Sequence, residues 1–232
     1  MTAPHRRGIA IAVAVLLLAA ATYLPNRVLP GWAYPVSGAV AAVLLLALAS
    51  WAGAGAHELG LDRRYLKRSA LAGLVGVAVV AVVFGIALVT AREVFEDGRV
   101  GRPGVGQLLV LALVRIPFGT VLVEEVAFRG VLPALFGGGE RWRWTPVLCA
   151  SALFGLWHLL PSLALRENPA VRSALGGVPW LIPVAAMLAA AAVGVLLCWW
   201  RYTGRGLLTT VLIHLATNSG GLVLAWWVLT RG

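Results

Sequence analysis

About seven stretches of some twenty mostly apolar residues follow one another along this chain, and their succession restricts the fold more than any other feature. A helix needs about 20 apolar residues to cross the hydrocarbon of a bilayer. The expected spans are residues 8–24, 36–55, 69–91, 106–136, 146–160, 180–200 and 206–229. The run 106–136 is too long for one straight span, and Pro117 inside it predicts a kink, a tilt or an extension beyond the bilayer. Gly137-Gly138-Gly139 ends that run, and Pro161 is expected to stop the fifth span. Residues 162–179 are mixed in character and read as a connection along the membrane surface.

Composition agrees. Of 232 residues 60% are hydrophobic and 12% charged, where a soluble domain carries about a quarter charged. The expected fold class is all-α: a polytopic membrane helical bundle of about seven transmembrane helices, with a range of six to eight. It forms a single integral-membrane domain over 1–232, with N-terminal spans in 1–101. The net charge of +10 does not point to nucleic acid. The basic residues fall in short loops, where they set topology and meet lipid headgroups. Cys149 and Cys198 both lie in apolar spans and give no disulfide or metal framework. Arg6, Arg7 and the following apolar run have the outline of a signal peptide, but Tyr23-Leu24-Pro25 is not a small-x-small cleavage site, so residues 8–24 are read as the first membrane helix.

Lysine and arginine placement sets the expected orientation. With the N-terminus inside, ten basic loop residues lie inside and seven outside, and the dense cluster Arg63, Arg64, Lys67, Arg68 is inside. Trp51, Trp142, Trp144, Trp199 and Trp200 then mark the inner membrane edge, and Trp180, Trp226 and Trp227 the outer one.

Within the fourth run stands Glu124-Glu125-Val126-Ala127-Phe128-Arg129. A charge at the centre of a membrane helix costs on the order of 3 kcal/mol or more unless it is paired or faces water. Glu125 and Arg129 are four apart and neutralise each other on one helical face. Glu124, about 100° round the helix, keeps no partner and is a functional candidate for that reason. Arg115, earlier on the same run, reads as structural: it snorkels or pairs with a carboxylate. The fifth span adds His158, on one face with Phe154, and the seventh adds His214 and Asn218, again four apart. At about 1.5 Å per residue the three helices carry these groups to a similar depth from the same side, which predicts a shared, water-filled pocket.

Such a set suits hydrolysis of a carbonyl compound. Glu125 stays ionised against Arg129, and Glu124 is the general base for a water molecule. A facing imidazole helps to hold the water, and His214 with Asn218 donates hydrogen bonds to a developing oxyanion. The same residue types also permit zinc, with His158, His214 and Glu124 as ligands, although no HExxH spacing supports it. No serine or cysteine is placed as a nucleophile.

These residues resemble the CPBP family of intramembrane proteases, which includes the type II CAAX prenyl endopeptidases and the ABI, or bacteriocin-immunity, proteins. The family pattern is EExxxR, FxxxH and HxxxN/D. The chain has Glu124-Glu125-x-x-x-Arg129, Phe154-x-x-x-His158 and His214-x-x-x-Asn218 in that order. The similar core covers residues 102–229, and the stretch Glu58-Leu59-Gly60-Leu61 is similar to a loop that often precedes it. The resemblance implies a helical membrane protein with a conical cavity open to the cytoplasmic side. It implies hydrolysis of a peptide bond in a membrane-tethered peptide or protein, without a cofactor. Glu124 would then activate water with His158 assisting, His214 and Asn218 would line the oxyanion site, and Arg129 would hold the glutamate pair. A zinc-dependent version and a non-catalytic immunity or scaffold protein are the alternatives. The implied location is the cell membrane, and the family does not fix whether a substrate is prenylated.

Overall fold

The computed structural model describes residues 3–231, and every long element in it is a helix. We number them α1 (Ala3–Arg27), α2 (Ala33–Trp51), α3 (Leu66–Thr90), α4 (Val105–Leu135), α5 (Trp144–Trp157), α6 (Leu159–Ser162), α7 (Pro169–Leu175), α8 (Leu181–Gly204) and α9 (Leu207–Arg231). Six of them are long and apolar enough to cross a membrane, and α5 with the segment Leu159–Glu167, bent by 44° against it, counts as a seventh if the bent pair is one span. The protein is thus an all-α, multi-pass helical bundle.

Contacts among the connections show the alternation of the helices. One end of the bundle joins Arg7 to Glu58 at 3.9 Å, His57 to Glu140 at 3.6 Å and Arg205 to Glu140 at 2.9 Å. At the other end Arg115 donates to the Gly31 carbonyl, Asn168 to the Val94 carbonyl and Trp226 to the Pro103 carbonyl. Arg115 therefore takes a backbone acceptor and lies over the Tyr34 ring at 4.2 Å, rather than pairing with a carboxylate.

Helix α4 does not break at Pro117. It continues for 31 residues, about 46 Å at the ordinary rise, against about 30 Å of hydrocarbon. Residues Leu111–Arg115, Pro117–Val121 and Val126–Val131 wind as π-helix. A π turn bonds i to i−5, which relieves the clash between a proline ring and the carbonyl four residues back. The fifteen residues from Val121 to Leu135 are nearly all buried, and both glutamates and Arg129 fall among them.

Small residues bring the other helices against this axis. A Cβ at Gly38 of α2 would strike the Phe118–Gly119 backbone of α4, and one at Gly119 would strike the Tyr34 ring. Gly73 and Gly76 of α3 sit on Leu212 and Ile213 of α9, while Gly155 of α5 and Gly194 of α8 meet each other's helix at Met187, Ala191 and Ser151. Lipid gives helices no hydrophobic reason to associate, so close backbone approach through small residues supplies the packing energy. Hydrogen bonds add to it: the Thr209 N–H donates to Ser69 Oγ and Thr209 Oγ1 to the Ser69 carbonyl, joining α9 to α3. The loop before α3 holds the start of α9, since the Leu207 N–H donates to the Gly60 carbonyl, and Gly60 has a φ of +75°. Leu59 of the Glu58–Leu61 stretch is buried in the same place.

The fifth span differs from expectation in detail. The straight part ends at Trp157, not at Pro161, and the chain turns at His158. Pro161 lies inside the turn that follows, α6. The connection 162–179 is not irregular throughout, because Asn168 accepts from the Ala170 and Val171 amides and starts α7.

Candidate active site

Five of the six candidate residues form one connected cluster. Glu125 and Arg129, on successive turns of α4, are both fully buried, with Arg129 Nη1 3.2 Å from Glu125 Oε1. The same Oε1 lies 2.7 Å from His214 Nδ1 on α9. A carboxylate only accepts here, so Nδ1 carries the hydrogen and the tautomer of His214 is set. His214 Nε2 is then 3.2 Å from Asn218 Nδ2, one turn further along α9, and 3.8 Å from Glu124 Oε2. The remaining guanidinium face of Arg129 lies over the Phe154 ring at 3.9 Å, a contact that offsets part of the cost of burying the cation.

Glu124 is 4% exposed and its two oxygens have unlike surroundings. Oε1 accepts a 2.9 Å hydrogen bond from Trp157 Nε1. Oε2 has no hydrogen-bond partner among the described residues. The sequence does not mark Trp157 as a site residue. Its position next to His158 at the end of an apolar helix was the available signal, but ten tryptophans make any one of them look like packing or a membrane-edge residue.

His158 is placed differently from the sequence expectation. The imidazole beside Glu124 belongs to His214, and His158 is not within ion-pairing distance of Glu124 among the described residues. The reason is the end of α5. The His158 amide bonds the Gly155 carbonyl instead of that of Phe154, and the His158 side chain takes the freed acceptor, Nδ1–H to Phe154 O at 2.8 Å. Trp157, one position back, turns toward α4. His158 instead stacks edge-on to Phe154, with ring centroids 4.5 Å apart. Its Nε2 is left with a lone pair.

His158, His214, Thr217 and Asn218 form the polar part of a cavity of about 510 Å³ between α3, α5, α8 and α9. The rest of its wall is apolar, including Val79, Val83 and Phe84 of α3 and Val193, Leu196 and Trp200 of α8. Glu124 is not on that wall. It lies behind His214, within 3.8 Å of the imidazole that is.

No three His, Cys, Asp or Glu side chains among the described residues gather as a metal-ligand set. His158 Nδ1 and His214 Nδ1 each donate to another acceptor, which leaves Nε2 of each ring as the nitrogen a metal would take. Cys149 is exposed, and Cys198 is buried on α8, where its thiol donates to the Phe128 carbonyl.

The family model for type II CAAX prenyl endopeptidase Rce1-like proteins matches residues 106–220. That interval begins in α4 and ends in α9, and it contains all six candidate residues. The chain belongs to this CAAX protease family, within the CPBP proteins. At the level of the family it is an intramembrane endopeptidase of the CAAX type, a protease carried in a multi-pass membrane protein. Comparison with curated proteins and with solved structures finds no match.

Proposed function

We propose that the protein hydrolyses a peptide bond in a membrane-associated substrate with a water molecule activated by Glu124. The observation that carries this reading is the asymmetry of that carboxylate. Trp157 holds Oε1, and Oε2 is bare and 3.8 Å from His214 Nε2. That separation is too long for a direct hydrogen bond, and one water molecule reaches both atoms with ordinary bonds.

In the proposed reaction Oε2 takes a proton from water as the oxygen attacks the scissile carbonyl carbon. The oxyanion forms against the Asn218 amide and, when His214 is protonated, its Nε2–H. Collapse breaks the C–N bond, and the proton on Glu124 passes to the leaving nitrogen. Glu125 orients His214 through Nδ1 and stabilises the imidazolium, the part a carboxylate plays behind a catalytic histidine. Arg129 balances the charge of Glu125. His158, with only Nε2 free toward the cavity, accepts from the substrate amide or the water. The cavity wall suits a largely apolar segment, in keeping with a substrate tethered to lipid. We place the end with the basic cluster, and access to the cavity, on the cytoplasmic side, on the positive-inside rule.

The test is cleavage of a membrane-tethered peptide by the purified protein. Glu124→Gln should lower the rate by about 10²- to 10⁴-fold while the protein still inserts and keeps its thermal stability. A chelator should leave the wild-type rate unchanged. Full activity in Glu124→Gln would end the glutamate-base reading, and loss with the chelator would favour the zinc version.

A further inference from the structure

At the charged end of the bundle the seam between α3 and α8 opens into a groove of about 530 Å³ that the chemistry at Glu124 does not use. It is lined by Arg64, Lys67, Arg68, Leu71, Ala72, Val75 and Thr203. Six of these seven come from one face of the α3 segment, at steps of three and four residues, with the cations at one end and the apolar residues at the other. We propose that the groove holds one anionic phospholipid, its phosphate among Arg64, Lys67 and Arg68 and one acyl chain along Leu71, Ala72 and Val75.

Charge and shape support this occupant. Arg64 is paired to Asp62 at 2.6 Å. The side-chain hydrogen bond from Arg64 lowers the Asp62 carboxyl to about 2, so this acid stays ionised and neutralises Arg64 alone. Arg68 Nε donates to the neutral Thr203 carbonyl. Lys67 and Arg68 thus have no acidic partner among the described residues, and the groove carries an excess of positive charge beside exposed apolar side chains. Leu71 is 56% and Val75 60% exposed, so both face the hydrocarbon of a bilayer. A phosphate near the surface gains about fivefold in affinity from each such cation.

The groove also lies next to the cavity of the proposed active site. Val79, one turn beyond Val75, lines that cavity, and Trp200 of the same wall donates to the Ala72 carbonyl at the groove. A lipid chain seated there would lie beside the cavity, along the seam of α3 and α8.

Native mass spectrometry of the full-length protein in detergent tests the proposal by titration with dioleoyl phosphatidylglycerol and, separately, dioleoyl phosphatidylcholine. One phosphatidylglycerol should be retained in preference to phosphatidylcholine. Lys67→Gln should weaken that retention about fivefold, and Val75→Trp, which fills the apolar half without touching charge, should weaken it as well. Arg141→Gln, an exposed cation of the same end outside the groove, should leave it unchanged. Equal retention of the two lipids would overturn the proposal, and that comparison needs no variant. So would equal losses in all three variants, which would mean diffuse surface charge. Val75→Trp without effect, or full competition by free glycerol phosphate at the lipid's concentration, would reduce the site to a phosphate contact and overturn the lipid.

Discussion

Glu124 would be an ordinary buried carboxylate without Trp157. The indole donates one hydrogen bond to Oε1, which leaves Oε2 as the oxygen without a hydrogen-bond partner among the described residues. A hydrogen bond to a charged group contributes about 1.5–3 kcal/mol. Trp157→Phe keeps the ring packing against Phe128, 5.8 Å away, and removes only the donor. Steady-state kinetics should show kcat lower by about tenfold or more, with KM little changed, because the substrate does not need the indole to bind. Arg129 answers a different question. Removing it strands Glu125 in a site with no exposure, and breaking a buried pair costs about 3–5 kcal/mol. Arg129→Met should therefore lower the melting temperature strongly. Glu125→Gln with Arg129→Met should recover much of it, because no uncompensated charge remains. Recovery of stability without recovery of cleavage would separate the pair's structural role from its hold on His214.

Each helix contributes through a local departure from regularity. The π turns carry α4 past Pro117 without a break, and Glu124 and Glu125, on the α-helical turn between them, point to different neighbours about 100° apart. The end of α5 at Trp157 splits two adjacent residues between two tasks, one on Glu124 and one in the cavity. The glycines of α3 set its distance from α9 and hence the position of His214. A Cβ at Gly73 would meet Leu212 at 2.7 Å, while one at Gly85 meets nothing within 4 Å. Gly73→Val should cost about 1–3 kcal/mol through overpacking, read as a lower melting temperature and weaker cleavage. Gly85→Val, on the lipid side of the same helix, should change neither. Equal effects at the two positions would mean that helix propensity, not the α3–α9 contact, is being measured.

Over the whole molecule the alternation of helices puts residues 141 and 102 at opposite ends, and with the basic cluster inside, a cysteine at 102 is outside. Arg102→Cys should react with a membrane-impermeant maleimide in intact cells, and Arg141→Cys should react only after permeabilisation; the reverse pattern would invert the proposed orientation. The helical class, the succession of apolar spans and the polar groups within them were legible in the sequence, because a bilayer admits only apolar lengths near 20 residues and makes each charge within them conspicuous. The Glu125–Arg129 pair was legible for the same kind of reason, since four-residue spacing fixes a shared face whatever the surroundings. Which groups meet across helices was not. The sequence set His158 opposite Glu124 as readily as His214, and gave no sign that Trp157 would hold Oε1. Those choices depend on where α5 ends and on how closely glycines let α3, α5, α8 and α9 approach, and both follow from packing between segments far apart in the chain.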